Sequence, residues 1–193
     1  MKKIIKYIWI LWMLHLTDSF ALDCFVKSPS YAKLGTKYFE YDGKDLGAME
    51  KQELESFLAP LLGEWEGVEL ETICRGVERS PRKVERKAKI EANISSSNKS
   101  FLRLEIGKRY IGDGVSKKEI FNLLYKGVVT NVMFSKDMLS SSEKRRFSVG
   151  YYSSRTAEIF TEVGINKKNI IINIMRYDNG VYVSQENMKL DAR

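Results

Sequence analysis

Residues 61–67, Leu-Leu-Gly-Glu-Trp-Glu-Gly, mark the point at which the hydrophobic periodicity of this chain changes. Before this stretch, apolar side chains recur at the three- and four-residue spacing of an amphipathic helix. After it, apolar and polar side chains alternate, which is the pattern of a half-buried strand. The sequence therefore predicts a short helix that leads directly into a long series of β-strands.

The helix is predicted to begin near Asp45, a favourable N-cap residue, and to end between Pro60 and Gly63. Proline distorts a last turn because it lacks a backbone N–H, and glycine accepts the left-handed backbone that often follows a helix. The predicted apolar face of this helix consists of Met49, Leu54, Phe57, Leu58, Leu61 and Leu62.

The alternation is clearest over residues 82–94, where small and aliphatic side chains fall on one face and charged ones on the other. About ten strand candidates follow one another through residues 64–190, separated by short segments with turn residues. Asn179-Gly180 is the strongest hairpin signal, because a type I′ turn needs positive φ at both central residues. For residues 45–193 this predicts an all-β fold, an up-and-down antiparallel β-barrel of about 8–10 strands with a short N-terminal helix.

The first 21 residues have the three parts of a signal peptide: a basic start, an apolar run over residues 7–16, and the small residues Ser19 and Ala21. The apolar run is shorter than the roughly 20 residues that a membrane-spanning helix needs. We therefore expect cleavage after Ala21, export to the periplasm or the medium, and no stable membrane anchor. A retained anchor and a lipid-modified Cys24 are the alternatives.

Residues 22–44 are predicted to form an irregular N-terminal arm, because they contain Pro29 and Gly35 and show no sustained period. The two cysteines of the chain are Cys24 in this arm and Cys74 at the end of the first long strand. An oxidising compartment favours a disulfide between them, with two unpaired thiols as the alternative. Such a bridge would stabilise the fold by at most roughly 4 kcal/mol through loop entropy.

Histidine is absent from the predicted mature chain, because the only one in the sequence is His15. This excludes a histidine general base and any histidine-containing metal or haem site from the mature protein. The carboxylates Glu64, Glu66, Glu69 and Glu71 lie close together in sequence but are interpreted mostly as solvated surface. No catalytic constellation is recognisable, so we expect a protein that is not an enzyme and that carries no cofactor and no metal.

The net charge of +7 comes from basic residues that cluster in pairs near predicted strand ends. We interpret these pairs as solvated turn charges, with no nucleic acid as partner; a nucleic-acid or anionic-membrane surface is the alternative. The pairs are Lys108-Arg109, Lys117-Lys118, Arg145-Arg146 and Lys167-Lys168.

A short helix followed by Gly63-Glu64-Trp65 at the first strand of a meander resembles the Gly-x-Trp signature of the calycin superfamily. That superfamily includes lipocalins, fatty-acid-binding proteins and the lipocalin-like and nitrobindin-like bacterial β-barrels. The resemblance covers residues 61–193 and implies that Trp65 closes one barrel end against a basic side chain, here Arg176 or Arg193. The chain lacks the Thr-Asp-Tyr lipocalin element, and its mature part lacks a histidine for haem, so only the architecture is transferred.

Candidate ligand-binding residues follow from aromatic rings, which supply apolar area, and tyrosine hydroxyls, which can orient a ligand by one hydrogen bond. Arg176 shares a strand face with Ile170, Ile172 and Ile174, so it is predicted to point inward, either onto the Trp65 ring or toward an anionic ligand group. The candidates are Phe121, Tyr125, Tyr151, Arg176 and Tyr182.

Two functional hypotheses follow from this architecture. The first is an exported lipocalin-like protein that binds a small apolar or amphipathic molecule inside the barrel. The second is a non-enzymatic interaction module, such as an inhibitor or an envelope-assembly factor, that contacts a protein partner through the barrel surface and residues 24–41.

Overall fold

The computed structural model describes residues 23–27, 38–39, 48–125, 130–134, 138–148, 154–166 and 169–193. The predicted signal peptide lies outside this part of the chain. Helix α1 spans Ala48–Leu58 and continues as a 3-10 turn, Ala59–Leu61. No helix in the described part is long and apolar enough to cross a membrane.

Ten strands follow or flank this helix. They are β1 (Tyr38–Phe39), β2 (Gly63–Val77), β3 (Ser80–Ser95), β4 (Ser100–Tyr110), β5 (Ser116–Tyr125), β6 (Thr130–Phe134), β7 (Met138–Ser148), β8 (Ser154–Asn166), β9 (Asn169–Asp178) and β10 (Val181–Ala192).

All ten strands form one antiparallel sheet in the order β1-β6-β7-β8-β9-β10-β2-β3-β4-β5. Strands that are consecutive in the chain pair with each other from β2 to β5 and from β6 to β10, and β10 then pairs with β2. The sheet curls into a half-barrel whose edge strands are β1 and β5, and the described residues form no ladder between these two edges. The predicted all-β, up-and-down antiparallel architecture with a short helix is confirmed.

The concave face of the half-barrel, called the interior below, is set by the strand register. On β2, every second side chain from Trp65 to Glu71, including that of Glu69, points into the interior, because successive side chains of a strand point to opposite faces. On β3 and β4 it takes Ala92 and Ile106, which lie level with Trp65 across the ladder. This alternation places a buried apolar core at the Trp65 end.

Helix α1 covers that end of the interior. Leu54 and Leu58 of the helix and Leu61 of the 3-10 turn are buried in the same hydrophobic cluster as Trp65. The indole N–H of Trp65 donates a hydrogen bond to the Leu61 carbonyl at 2.9 Å, so the ring is anchored to the end of the helix. The junction that the sequence marks is thus where helix and sheet are joined.

Two strand predictions need correction. Residues 109–112 were expected to form a separate strand, but β4 runs unbroken to Tyr110. Residues 136–144 were expected to form a turn, but β7 begins at Met138, and its serines at 140, 141 and 142 are buried. The sequence did not predict the start of β7 because its residues are mostly polar and show no alternation of apolar and polar side chains. The Asn179-Gly180 turn is confirmed, with φ of 51° and 81°.

The N-terminal arm is tied to the outer face of the sheet. Cys24 and Cys74 form a disulfide, with their Cα atoms 5.4 Å apart, as predicted. The Phe25 N–H donates to the Tyr182 carbonyl at 3.0 Å, and the Tyr182 N–H donates to the Val26 carbonyl at 2.8 Å. The arm also supplies strand β1, so it is more regular than expected. Much of the proposed partner segment 24–41 lies outside the described residues.

A first prediction concerns Gly67, the second glycine of the opening stretch. A Cβ added there would lie 2.0 Å from the Lys189 carbonyl oxygen of β10, so Gly67→Ala must push the closing strand away. We expect it to lower the free energy of unfolding by at least about 1–3 kcal/mol in urea titrations. Gly164→Ala is the control, because a Cβ at that strand position meets nothing within 4 Å; equal effects of both changes would contradict the assignment.

Candidate functional site

A buried lysine lies at the centre of the interior. Lys108 is only 2% exposed, because it shares the inward face of β4 with Ile106 and Tyr110. Its ammonium nitrogen Nζ lies 2.7 Å from Glu69 Oε1 and 2.7 Å from Glu186 Oε2, and it also pairs with Glu119. Strands β2, β10 and β5 thus each supply one carboxylate to an ammonium on β4.

This charge cluster, Lys108 with Glu69, Glu119 and Glu186, overturns part of the sequence interpretation. Lys108 was expected to be a solvated turn charge, but β4 extends past it, so it lies within a strand. Glu69 was grouped with solvated carboxylates and is only 2% exposed. Buried charges need partners, and here those partners come from strands far apart in sequence.

The protonation of Glu69 follows from its surroundings. Burial, followed by the neighbouring Glu186 carboxylate, raises the pKa of Glu69 from 4.5 to about 9. Glu69 Oε1 lies 2.7 Å from the Lys108 ammonium, whose charge offsets only part of this rise in the pKa of Glu69. Glu69 is therefore protonated at neutral pH, which limits the negative charge that one lysine has to balance.

The pKa values of Lys108 and Glu119 shift in the directions that keep both groups charged and so stabilise their ion pair. Burial alone would lower the pKa of Lys108, but the charge of Glu186 and the contacts with Glu119 and Glu69 raise it above its ordinary value. Burial alone would raise the pKa of Glu119, but hydrogen bonds to Lys108 and Lys117 lower it. Both groups stay charged across the physiological range.

Two aromatic rings complete the polar part of the interior. The Tyr110 hydroxyl donates to Glu71 Oε2 at 3.2 Å, and the Arg86 guanidinium lies 5.6 Å from the centre of the Tyr110 ring. The Lys108 ammonium lies 5.2 Å from the centre of the Phe121 ring. Both contacts are within the range of cation–π attraction.

A cavity of about 260 Å³ opens beside the charge cluster. It lies across the interior, between β5 on one side and β8, β9 and β10 on the other. Phe121, Ile159 and Ile174 provide an apolar wall, and Glu186 connects the cavity to the charge cluster. The full lining is Ile120, Phe121, Asn122, Leu123, Ile159, Ile174, Arg176, Ser184 and Glu186.

The structure brings two of the predicted ligand residues together, since Phe121 and Arg176 line the same cavity. The Tyr125 side chain and all of Tyr151 lie outside the described residues. Tyr182 needs correction: it is fully buried among Phe160 and Tyr177 on the outer face, beneath the arm, and does not line this cavity.

The cause of that difference is a bulge in β10. Tyr182 is level with Tyr177, but Ser184 is level with Arg176, so the register shifts between them. A bulge reverses the facing of the residues on one side of it, which simple alternation does not anticipate. Burial raises the pKa of Tyr182 to about 12, consistent with a packing role.

The predicted contact between Arg176 and Trp65 is wrong. Arg176 of β9 pairs with Ser184 of β10, and Ser184 in turn pairs with Ile73 of β2. Trp65 of β2 pairs instead with Ala192 of β10. These positions are eight residues apart on β2, about 26 Å at the usual rise of a strand. Arg176 instead donates from Nε to Asp178 Oδ1 at 2.9 Å, and its side chain is 46% exposed.

Arg193 is the basic residue that lies near Trp65. Its backbone N–H donates to the Glu64 carbonyl at 3.3 Å, and both Arg193 and Trp65 line a surface depression. Trp65 is buried, and its indole is bonded to the Leu61 carbonyl at the end of the helix.

A larger depression, of about 820 Å³, lies on the outer face of β2 to β5. Its lining mixes exposed charges of both signs, such as Glu66, Lys89 and Arg109, around Val68. Convergent polar groups beside an apolar wall are the better indicator of a ligand site. We therefore assign the candidate site to the smaller interior cavity.

Metal binding is not suggested by the charge cluster. Among the described residues, no group of three His, Cys, Asp or Glu side chains could hold a metal ion. The Lys108 ammonium itself occupies the point where the three carboxylates converge.

Comparisons with known proteins add little to this geometry. No family model matches the chain, and no curated protein matches it significantly. Two solved structures of inactive mutants of CurK dehydratase align with it at 12% and 11% identity, covering 77% of this chain and 82% of theirs, each with a TM-score of 0.22. At that TM-score neither their fold nor their activity transfers to this protein.

A second prediction tests the central ion. Lys108→Met keeps most of the side-chain volume but leaves the half-buried Glu186 without its cation and the half-buried Glu119 paired only with Lys117. We expect a loss of about 3–5 kcal/mol in the free energy of unfolding, measured by urea titration. Lys118→Met, on the exposed face of β5, is the matched control. It should change the free energy of unfolding by less than about 0.5 kcal/mol. A similar loss in both variants would refute the central role of Lys108.

A third prediction concerns pH. Because the pKa of Glu69 is raised, the folded protein binds more protons than the unfolded chain between pH 4.5 and about 9, so stability falls as pH rises through this window. Glu69→Gln mimics the protonated acid and should flatten this dependence in urea titrations at a series of pH values. Glu91→Gln on the exposed outer face should leave the slope unchanged. Identical slopes in the parent and Glu69→Gln would disprove the assignment.

Proposed function

We propose that this chain is an exported, lipocalin-like binding protein that takes up a small amphipathic molecule without chemical conversion. The observation that supports this most directly is that Phe121 and Arg176 line one cavity with an apolar wall and an ionic floor. The antiparallel meander and the helix-anchored Trp65 agree with a calycin-like architecture.

The cavity has a polarity that orients a ligand. An apolar body would lie against Phe121, Ile159 and Ile174. An anionic end would be repelled by Glu186 at the floor and would compete with Asp178 for Arg176 at the rim. The ligand would therefore enter with its apolar part first and keep its charged end near solvent.

The size of the cavity limits what it can hold. Its volume of about 260 Å³ is slightly below the usual range of about 300–1,000 Å³ for drug-sized ligands. The apolar wall of the cavity belongs to the same packed hydrophobic cluster as Trp65, so a longer molecule would have to extend out toward solvent rather than deeper into the half-barrel.

Export is supported by the disulfide between Cys24 and Cys74, because such bonds persist in oxidising compartments. The predicted cleavage after Ala21 would release a chain that begins just before this bridge. N-terminal sequencing of the protein from the periplasm or the medium would test that step separately from ligand binding.

A fourth prediction tests the ligand site. Medium-chain fatty acids and the matching fatty alcohols serve as probes in calorimetric titrations. Phe121→Ala should weaken binding of both probes roughly tenfold, because it removes apolar contact area. Arg176→Gln should weaken only the fatty acid, because the alcohol has no charge for the guanidinium to attract.

Arg109→Gln is the control for this experiment. Arg109 is an exposed arginine of β4 that lies opposite Ser116 and is not part of the cavity lining, so its loss should leave both affinities unchanged. Native mass spectrometry of the purified protein would reveal a ligand that copurifies. If the parent binds neither probe and carries no copurifying molecule, or if all three variants bind alike, the proposed function is wrong.

A further inference from the structure

A two-stranded hairpin extends beyond the rest of the sheet. Strands β2 and β3 remain paired as far as Val77 and Ser80. The strands on either side end earlier. The last residue of β2 that pairs with β10 is Ile73, and the residue of β3 that pairs with the end of β4 is Ala88. Residues 74–87, called the distal hairpin below, therefore have no strand on either side, and nearly all of them are exposed.

The distal hairpin is strongly basic. It contains six Lys or Arg side chains and only two Glu side chains, a net charge of +4 that makes up more than half of the excess for the whole sequence. One of the lysines, Lys83, is paired with Glu85 at 3.0 Å. The remaining positive charge is concentrated at one end of the molecule.

Three arginines of the distal hairpin share its concave face. Arg86 is on this face because its guanidinium packs over the inward-pointing Tyr110 ring. Arg82 lies four residues earlier on the same strand, and Arg75 is directly opposite Arg82 in the ladder, so period-2 alternation places all three together. Within the described part of the chain, Arg75 and Arg82 form no ion pair.

This arrangement is unfavourable for the isolated protein. Like charges directly opposite each other on neighbouring strands destabilise the pair. A two-stranded hairpin without neighbouring strands has little other support, and here the disulfide at Cys74 ties only its base. An anionic partner would remove the repulsion between Arg75 and Arg82.

Apolar side chains are exposed at the same end of the molecule. Val77 at the tip of the distal hairpin is 64% exposed. In the neighbouring β4–β5 turn, Ile111 is 60% exposed and Val115 is 53% exposed, and the Ile111 N–H donates to the Lys87 carbonyl at the hairpin base. Exposed aliphatic side chains thus lie at both the tip and the base of the distal hairpin.

We propose that the distal hairpin docks this protein reversibly on an anionic phospholipid surface. Aliphatic residues enter the headgroup region, and basic residues are attracted by the negative surface potential. The hairpin carries no aromatic residue on which bases could stack, so single-stranded nucleic acid fits it less well. This surface is distinct from the cavity lining, and the proposal does not depend on the ligand.

The test measures partition of the purified protein, with its N-terminus mapped by mass spectrometry, onto sedimented vesicles. The vesicles contain phosphatidylglycerol and phosphatidylcholine, or phosphatidylcholine alone. We expect binding to the anionic vesicles only, weakened by salt. The variant Arg75→Gln/Arg82→Gln/Arg86→Gln should bind on the order of 100-fold more weakly, since each basic residue near the surface contributes to attraction.

The matched control is Lys89→Gln/Lys99→Gln/Lys189→Gln, which removes the same charge from exposed positions outside the distal hairpin. It should retain most of the binding. Because the arginines are exposed, both variants should keep the parent circular dichroism spectrum. Equal losses in the two triple variants, or an absence of binding by the parent, would overturn the proposal.

A second measurement locates the contact. In Val77→Trp, the added indole should be quenched by brominated lipids in anionic vesicles, relative to the parent protein. Trp65 lies at the opposite end of β2 and should contribute no such signal. Absence of extra quenching in a variant that still binds would show that another surface makes the contact, and it would refute the assignment to the distal hairpin.

Discussion

The ammonium of Lys108 is the group on which the arrangement of the interior depends. It lies on β4, and its partners Glu69, Glu119 and Glu186 lie on β2, β5 and β10. An unpaired ammonium could not remain charged in this environment. Lys108 therefore has all its partners only when β10 pairs with β2. Glu186, the partner on β10, lies 78 residues after Lys108 in the sequence.

The cluster also divides the half-barrel into two functional parts. On one side, the helix and Trp65 close a solid apolar core. On the other side, Glu186 forms the floor of a cavity whose rim carries Arg176. The polarity of the interior thus runs from apolar at Trp65 to ionic at Lys108 and basic at Arg176.

Local patterns were sufficient for much of this architecture. The change in period at residues 61–67, the turn at Asn179-Gly180 and the pairing of Cys24 with Cys74 were each predictable from residue type and spacing. The same reasoning missed β7, because its buried serines carry no apolar alternation. It also misjudged Tyr182, because a bulge reversed its facing.

The sequence by itself determined the class of fold, since helix and strand periodicity, turn residues and the cysteine count are all local properties. The tertiary structure decided which charges are buried and which residues meet. Lys108 and Glu69 look like ordinary surface charges in sequence, and only strand register brings them within 2.7 Å of each other. Register also separates Arg176 from Trp65 and leaves residues 74–87 projecting, because it depends on long-range pairing that no local pattern encodes.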